Sequence, residues 1–140
     1  MLGRLVRRGR GYTADMANRI TAWAIDCADP EELAGFWTAV LGWIVTERGD
    51  DIVSIKPAAD AAWGIDLARV PDGPKQTKNR IHLDVNATDR DQAAELERLL
   101  ALGATRVDVG QGDDVTWHVL ADPEGNEFCL LRSRVEPIAT

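Results

Sequence analysis

Within Lys78-Asn79-Arg80-Ile81-His82-Leu83-Asp84-Val85, strict alternation over residues 80–85 sets three ionisable side chains, Arg80, His82 and Asp84, on every second position. Residues two apart on an extended strand share a face, so these three stand together while Ile81, Leu83 and Val85 turn to an apolar partner layer. On a solvated sheet such a row does no chemistry, which is the ordinary fate of charged groups. Lining a cavity, it would supply several functions. A histidine beside acidic neighbours is suited to proton transfer near neutral pH, which makes His82 the catalytic candidate. Arg80 could hold a carboxylate or phosphate through paired N–H bonds.

Further groups could join that face. Asp26, Asp66 and Asp84 would supply carboxylates, and Glu127 and Cys129 could add to them. Trp117 or His118 would give a large wall residue, and as sequence neighbours on a strand they must face opposite ways. Asp26, Asp66, Arg80, Asp84, Trp117 and Cys129 are therefore the ligand-binding candidates. Lys75 and Lys78 could rim the cavity and attract anions, or be plain linker residues. The competing structural reading pairs Asp66 with Arg80 and Asp26 with His82 in a network that serves folding alone.

The elements that must position these groups fall into two similar units. Ile20 to Cys27 alternates as a strand, with Trp23, Ile25 and Cys27 on one face and Ala22, Ala24 and Asp26 on the other. Asp29-Pro30-Glu31-Glu32 opens a helix, with Asp29 as N-cap, Pro30 at its first position and Glu32 completing a capping box. Leu33, Phe36, Trp37, Val40 and Leu41 then recur at helical spacing until Gly42 stops the helix; the stripe and Trp23 are expected in the core. Strands follow at 43–47, 52–56 and 64–70. After the Pro/Gly/Lys-rich link 71–78 the pattern returns: the strand containing His82, a capping box from Thr88 to Asp91, and a stripe of Ala93, Leu96, Leu99 and Leu100 ending at Gly103. Strands are expected at 105–109, 116–121 and 127–131, the last two joined by a turn at Asp122-Pro123-Glu124-Gly125. The fold class is α+β: two βαβββ modules, 18–72 and 78–132, in pseudo-twofold arrangement, with curved mixed sheets enclosing a common cleft. Together they make a single domain over 18–135.

Composition narrows the function. A net charge of −7 argues against general nucleic-acid binding, and no apolar run is long enough for a membrane span. Cys27 and Cys129 lie in apolar runs without CxxC spacing, as in a reduced, cytoplasmic protein. The head of the chain is an exception to the acidic balance, with Arg4, Arg7, Arg8 and Arg10 against Asp15. Residues 1–17 are expected to be a disordered tail, or translation upstream of a start at Met16.

The stretches IDCADPEELAGFWTAVLGW (25–43), KNRIHLDV (78–85), LLALGATRV (99–107) and LADPEGNEFCLL (120–131) resemble the vicinal oxygen chelate superfamily, in particular its glyoxalase-like and bleomycin-resistance-like domains of actinobacterial type. The resemblance implies the glyoxalase/bleomycin resistance/dioxygenase fold, a small-molecule cleft and a homodimer. Metal-dependent members carry ligands on the first and last strand of each module. The matching positions here are Ala22, Asp66, Arg80 and Cys129; an alanine has no donor atom and an arginine repels a cation. No cofactor is therefore expected and the metal-ligand assignment is none, the divalent-metal alternative being a rearranged site that joins His82 to Asp66 or Cys129. The implied function is a glyoxalase-like lyase or isomerase with an altered cleft. The alternative is a non-catalytic protein that sequesters an aromatic or cationic small molecule, for which acidic residues and five tryptophans are suited.

Overall fold

The structure, a computed structural model, describes residues 18–71 and 75–138; the arginine-rich head 1–17 lies outside the described residues. Two four-stranded sheets carry one helix each. The first holds β1 (Ala22–Cys27), β2 (Ile44–Arg48), β3 (Ile52–Lys56) and β4 (Gly64–Arg69) in the order β1-β4-β3-β2. The second holds β5 (Leu83–Val85), β6 (Thr105–Arg106), β7 (His118–Ala121) and β8 (Glu127–Leu130) in the equivalent order β5-β8-β7-β6. In each sheet the first strand runs parallel to the last and the remaining pairs are antiparallel. Asp26 pairs with Ala68 in one module and Asp84 with Cys129 in the other, so the internal repeat extends to strand register.

Helix α1 (Pro30–Leu41) begins as its sequence requires, with the Asp29 carboxylate accepting from the backbone N–H groups of Glu31 and Glu32 at 3.1 Å. It ends at Gly42, whose φ of 67° is the left-handed conformation that favours glycine. The reciprocal half of the expected capping box is supplied from elsewhere. Glu32 does not take the Asp29 N–H; the carboxylate of Glu124 does, at 2.9 Å, and accepts from Ala28 N–H as well. Helix α2 (Gln92–Leu102) starts three residues later than its expected cap. Asp91, not Thr88, is the N-cap, bonded to Ala94 N–H at 2.8 Å. Its buried positions are Glu95, Leu96 and Leu99, and Ala93 is exposed.

Both helices feed one core. Leu33, Phe36 and Trp37 of α1 meet Ile55, Ile65 and Leu67 of the first sheet, and Leu96 and Leu99 of α2 join Leu120, Phe128 and Leu130 of the second. Trp37 and Phe128 are in edge contact with ring centroids 5.1 Å apart, and Phe36 reaches Phe128 at 6.1 Å. The aromatic stripe of one module is therefore closed by the other. Each fully buried side chain of this size contributes about 1.5–3 kcal/mol.

Several strands are shorter than their alternation suggests. Only Leu83–Val85 of the 78–85 stretch is strand, and Ile81 is 69% exposed. The Asn79 N–H goes to the Glu127 carboxylate at 3.0 Å instead of to a neighbouring strand, so the chain approaches β5 tied by a side chain. The strand expected over 105–109 covers only Thr105–Arg106, although the Val107 N–H still reaches the Val119 carbonyl at 3.0 Å. Trp23, expected in the core, is 39% exposed: α1 lies over β2, β3 and β4, and β1 is the edge strand beyond them.

Candidate functional site

The two modules leave a groove of about 500 Å³ between β1 and the approach to β5. Trp23, Ile25, Ile65, Val70 and Ile81 give it apolar walls, and Asp26, Asn79, His82 and Glu127 give it polar ones. A second cavity, about 360 Å³, lies on the face of the β5–β8 sheet turned away from the helices, against Asp84, Trp117, Val119 and Cys129. His82 and Glu127 border both spaces, so the two are neighbours separated by these side chains.

Strand register explains the grouping. Leu83, Val85, Phe128 and Leu130 point into the core; the alternate residues Asp84, Cys129 and Val119 share the opposite face. His82 is two residues before Asp84, and its Nε2 lies 3.3 Å from Asp84 Oδ1. Cys129 is buried beneath them. Its burial, then the Asp84 carboxylate to which it is hydrogen-bonded, push the thiol pKa up. Cys27 is raised further, to about 11, by burial first and then by Glu124. Neither cysteine is a thiolate nucleophile at neutral pH on its own.

Two of the groove's carboxylates, Glu127 and Glu124, are engaged, as is the buried Asp122 nearby. Glu127 holds Lys75 Nζ at 2.7 Å and Asn79 N–H at 3.0 Å; burial works to raise its pKa, but these two donors hold it below the usual glutamate value. Glu124 is committed to the start of α1. Asp122 is buried, accepts from Trp37 Nε1 at 3.1 Å, and ties the backbone of Glu124 and Asn126. Burial pushes its pKa up against those donated bonds.

The sequence candidates thus separate. His82, Asp84, Trp117 and Cys129 converge on the second cavity, whereas His118, in register with Leu130, is on the helix side. Asp26 lines the groove without a hydrogen-bond or ion-pair partner among the described residues. Asp66 accepts from the Ser54 hydroxyl at 2.6 Å and lines neither space, and Arg80 lines neither. The proposed pairs Asp66–Arg80 and Asp26–His82 are replaced by Asp66–Ser54 and His82–Asp84. Lys75 is consumed by Glu127, and Lys78 borders the second cavity. Alternation alone could not reveal Trp23 and Ile81 as groove walls, because both carry apolar side chains that the pattern assigns to the core.

The positions at which metal-dependent relatives would place ligands do not fit a divalent ion, and strand register corrects one of them: the first-module counterpart of Cys129 is Ala68, not Asp66. Ala22 and Ala68 end in methyl groups, Asp66 is bonded to Ser54 and Arg80 is a cation, leaving Cys129 alone. The donor atoms that do come together are those of His82, Asp84 and Cys129, all within 4.8 Å of one another.

The glyoxalase-like domain model matches residues 22–131. None of the curated proteins compared matches the chain. Among solved structures, the fosfomycin resistance protein FosX of Listeria monocytogenes, determined with manganese(II) and 1S,2S-dihydroxypropylphosphonic acid, is 14% identical with a TM-score of 0.63, over 86% of this chain and 93% of that one. A glyoxalase-related enzyme from Fulvimarina pelagi is 17% identical with a TM-score of 0.58, over 81% and 87% of the two chains. A glyoxalase/bleomycin resistance/dioxygenase family enzyme from Burkholderia phytofirmans is 18% identical with a TM-score of 0.57, over 79% and 94%. These likenesses concern the fold. With the duplicated βαβββ register and a family match spanning both modules, the chain belongs to the glyoxalase-like domain family, within the vicinal oxygen chelate fold.

Proposed function

We propose that this protein binds a small organic molecule in the groove between its modules, and that the ligand has an apolar or aromatic body and a cationic group. One observation carries the reading: in a groove of about 500 Å³ walled by Trp23, Ile25, Ile65 and Ile81, Asp26 is the carboxylate without a side-chain partner among the described residues, while Glu124 and Glu127 are taken. An unpartnered carboxylate in a groove with apolar and aromatic walls favours an amine or similar cation over an anion. Sequestration is preferred to turnover because, among the described residues, no nucleophile is oriented by a base, and burial pushes both thiols up.

The test is thermal denaturation against matched panels of aromatic amines and aromatic carboxylates. Amines are expected to raise the Tm in proportion to the logarithm of their concentration, and Asp26→Asn to weaken them by about tenfold, the scale of one lost charge-assisted hydrogen bond. Equal binding of carboxylates, or an unchanged response in Asp26→Asn, would refute the reading.

A second reading, proton transfer in a lyase or isomerase reaction, is favoured by the position of His82 between both cavities with Asp84 at 3.3 Å. Here the measurement is product formation from groove ligands by mass spectrometry. Turnover that disappears in His82→Ala while ligand affinity persists supports catalysis; no turnover with any bound ligand leaves sequestration.

A further inference from the structure

We infer that His82, Asp84 and Cys129 form a three-ligand site for a thiophilic divalent cation of the zinc type, contained wholly within the second module. This differs from the ligand arrangement implied by the family resemblance, which draws on both modules and fails here at Ala22 and Arg80. It does not depend on what the groove binds.

The placement follows from β geometry. Asp84 and Cys129 are directly paired across the parallel β5–β8 ladder, and His82 is one same-face step before Asp84. An imidazole nitrogen, a carboxylate oxygen and a thiol sulfur therefore meet within 4.8 Å. Tetrahedral zinc with ligand bonds of about 2.0–2.3 Å needs its donors about 3.4–3.7 Å apart. The gap of about 1 Å is within reach of rotamer changes in His82 and Asp84, whose side chains are 41% and 50% exposed, around a fixed, buried Cys129.

The first module supplies an internal control. By strand register, the counterparts of His82, Asp84 and Cys129 are Ala24, Asp26 and Ala68, so the same fold positions hold a single donor there. Folding does not require donors at these places.

The chemistry of the set selects the metal class. Imidazole with thiolate suits zinc or cobalt better than magnesium or calcium, which prefer oxygen ligands. One thiolate and one carboxylate balance a dication, and three protein ligands leave a coordination position toward the second cavity. On binding, the Cys129 S–H proton is released to solvent as the metal–sulfur bond forms, so no oxidant or reductant is involved.

The experiment titrates reduced, metal-free protein with Co2+ under anaerobic conditions and then competes with Zn2+. One Co2+ per chain is expected, with a thiolate-to-cobalt charge-transfer absorption in the near ultraviolet that Zn2+ abolishes. Cys129→Ala should remove that absorption and His82→Ala should weaken Zn2+ binding by more than about tenfold, since losing a ligand costs at least as much as losing its outer-shell support. Cys27→Ala, which alters the other thiol, should keep the absorption. Circular dichroism of each variant establishes folding, and Asp84→Asn, which is close to isosteric, serves if Cys129→Ala unfolds. Absence of the charge-transfer band, its persistence in Cys129→Ala, or unchanged affinity in both His82→Ala and Asp84→Asn would overturn the assignment. Metal binding is read from the cobalt absorption and Zn2+ competition, and Cys129→Ala and Asp84→Asn change residues outside the groove lining, so failure of this site is distinguishable from failure of groove binding.

Discussion

Single residues here serve structure and cleft at once, and Glu127 is the clearest case. Its alternation along β8 turns it away from the core, where it holds Lys75 and the backbone of Asn79 and so ties the inter-module link beside the groove. Those donors keep its pKa below the ordinary glutamate value. A carboxylate with a lowered folded-state pKa contributes stability that is present above its unfolded value, about 4.5, and is lost as pH falls through the folded one. The expected result is that wild type exceeds Glu127→Gln in Tm at pH 7 and that the difference shrinks steadily between pH 5 and pH 3, about the window set by that unfolded value. A difference independent of pH would show that the bridge carries no net charge stabilisation.

At the scale of elements, α1 is held at both ends by the opposite module, each time with the sign its dipole favours. Glu124 accepts the Ala28 and Asp29 N–H groups at the start, and Arg98 of α2 donates to the Ala39 and Val40 carbonyls at the end, at 2.9 and 3.1 Å. Helix α1 has no basic residue in its own last turn, so Arg98 supplies what its sequence lacks. Arg98 is itself fixed by the buried Glu95 at 2.7 Å. Glu124→Ala and Arg98→Ala should each cost about 1–2 kcal/mol in denaturant unfolding, the range of a lost cap. They should be close to additive, since they act at opposite ends of the helix. In the first sheet, a side chain at Gly64 would press on the Ile55 carbonyl oxygen and on Lys56 Cγ, 2.7 Å from the new Cβ. Gly64→Ala is expected to destabilise by about 1–3 kcal/mol, read from the same unfolding midpoint, because the obstacle is backbone.

The whole molecule is one cooperative core despite its duplicated plan. Trp37 touches Phe128 of β8 across the module boundary and donates to Asp122, which opens the turn before that strand. Phe128→Ala should therefore cost about 3–5 kcal/mol and lower a single unfolding transition for both modules. Two separated transitions in scanning calorimetry would show independent modules. Residues 18–71 expressed alone should lack a sigmoidal denaturant transition, since Phe36 and Trp37 would lose their partner.

Much of this was legible in the chain itself. Asp29 and Pro30 at the start of α1, glycine at 42 and 103, the Leu33-Phe36-Trp37 stripe and the alternation of β3 and β4 are local patterns, and local sterics and hydrogen bonding suffice to decode them. Repetition of those patterns gave the two-module plan. Position 88 failed as a cap because a hydroxyl and a carboxylate three residues apart compete for the same role, and Asp91 faces the first free N–H groups.

Partner choice across the fold was a different matter. Nothing near Asp66 in sequence says that Ser54, and not Arg80, would reach it. The Asp122-Pro123-Glu124-Gly125 stretch reads as a turn, and nothing in it says that Asp122 and Glu124 would be bound at α1, more than eighty residues earlier. Sequence alone determined the elements and the faces of their side chains, because period and capping are set within a few residues. Only the tertiary structure decided which charges were neutralised, which, like Asp26, kept no side-chain partner among the described residues, and that His82, Asp84 and Cys129 would meet, because that depends on packing between distant strands.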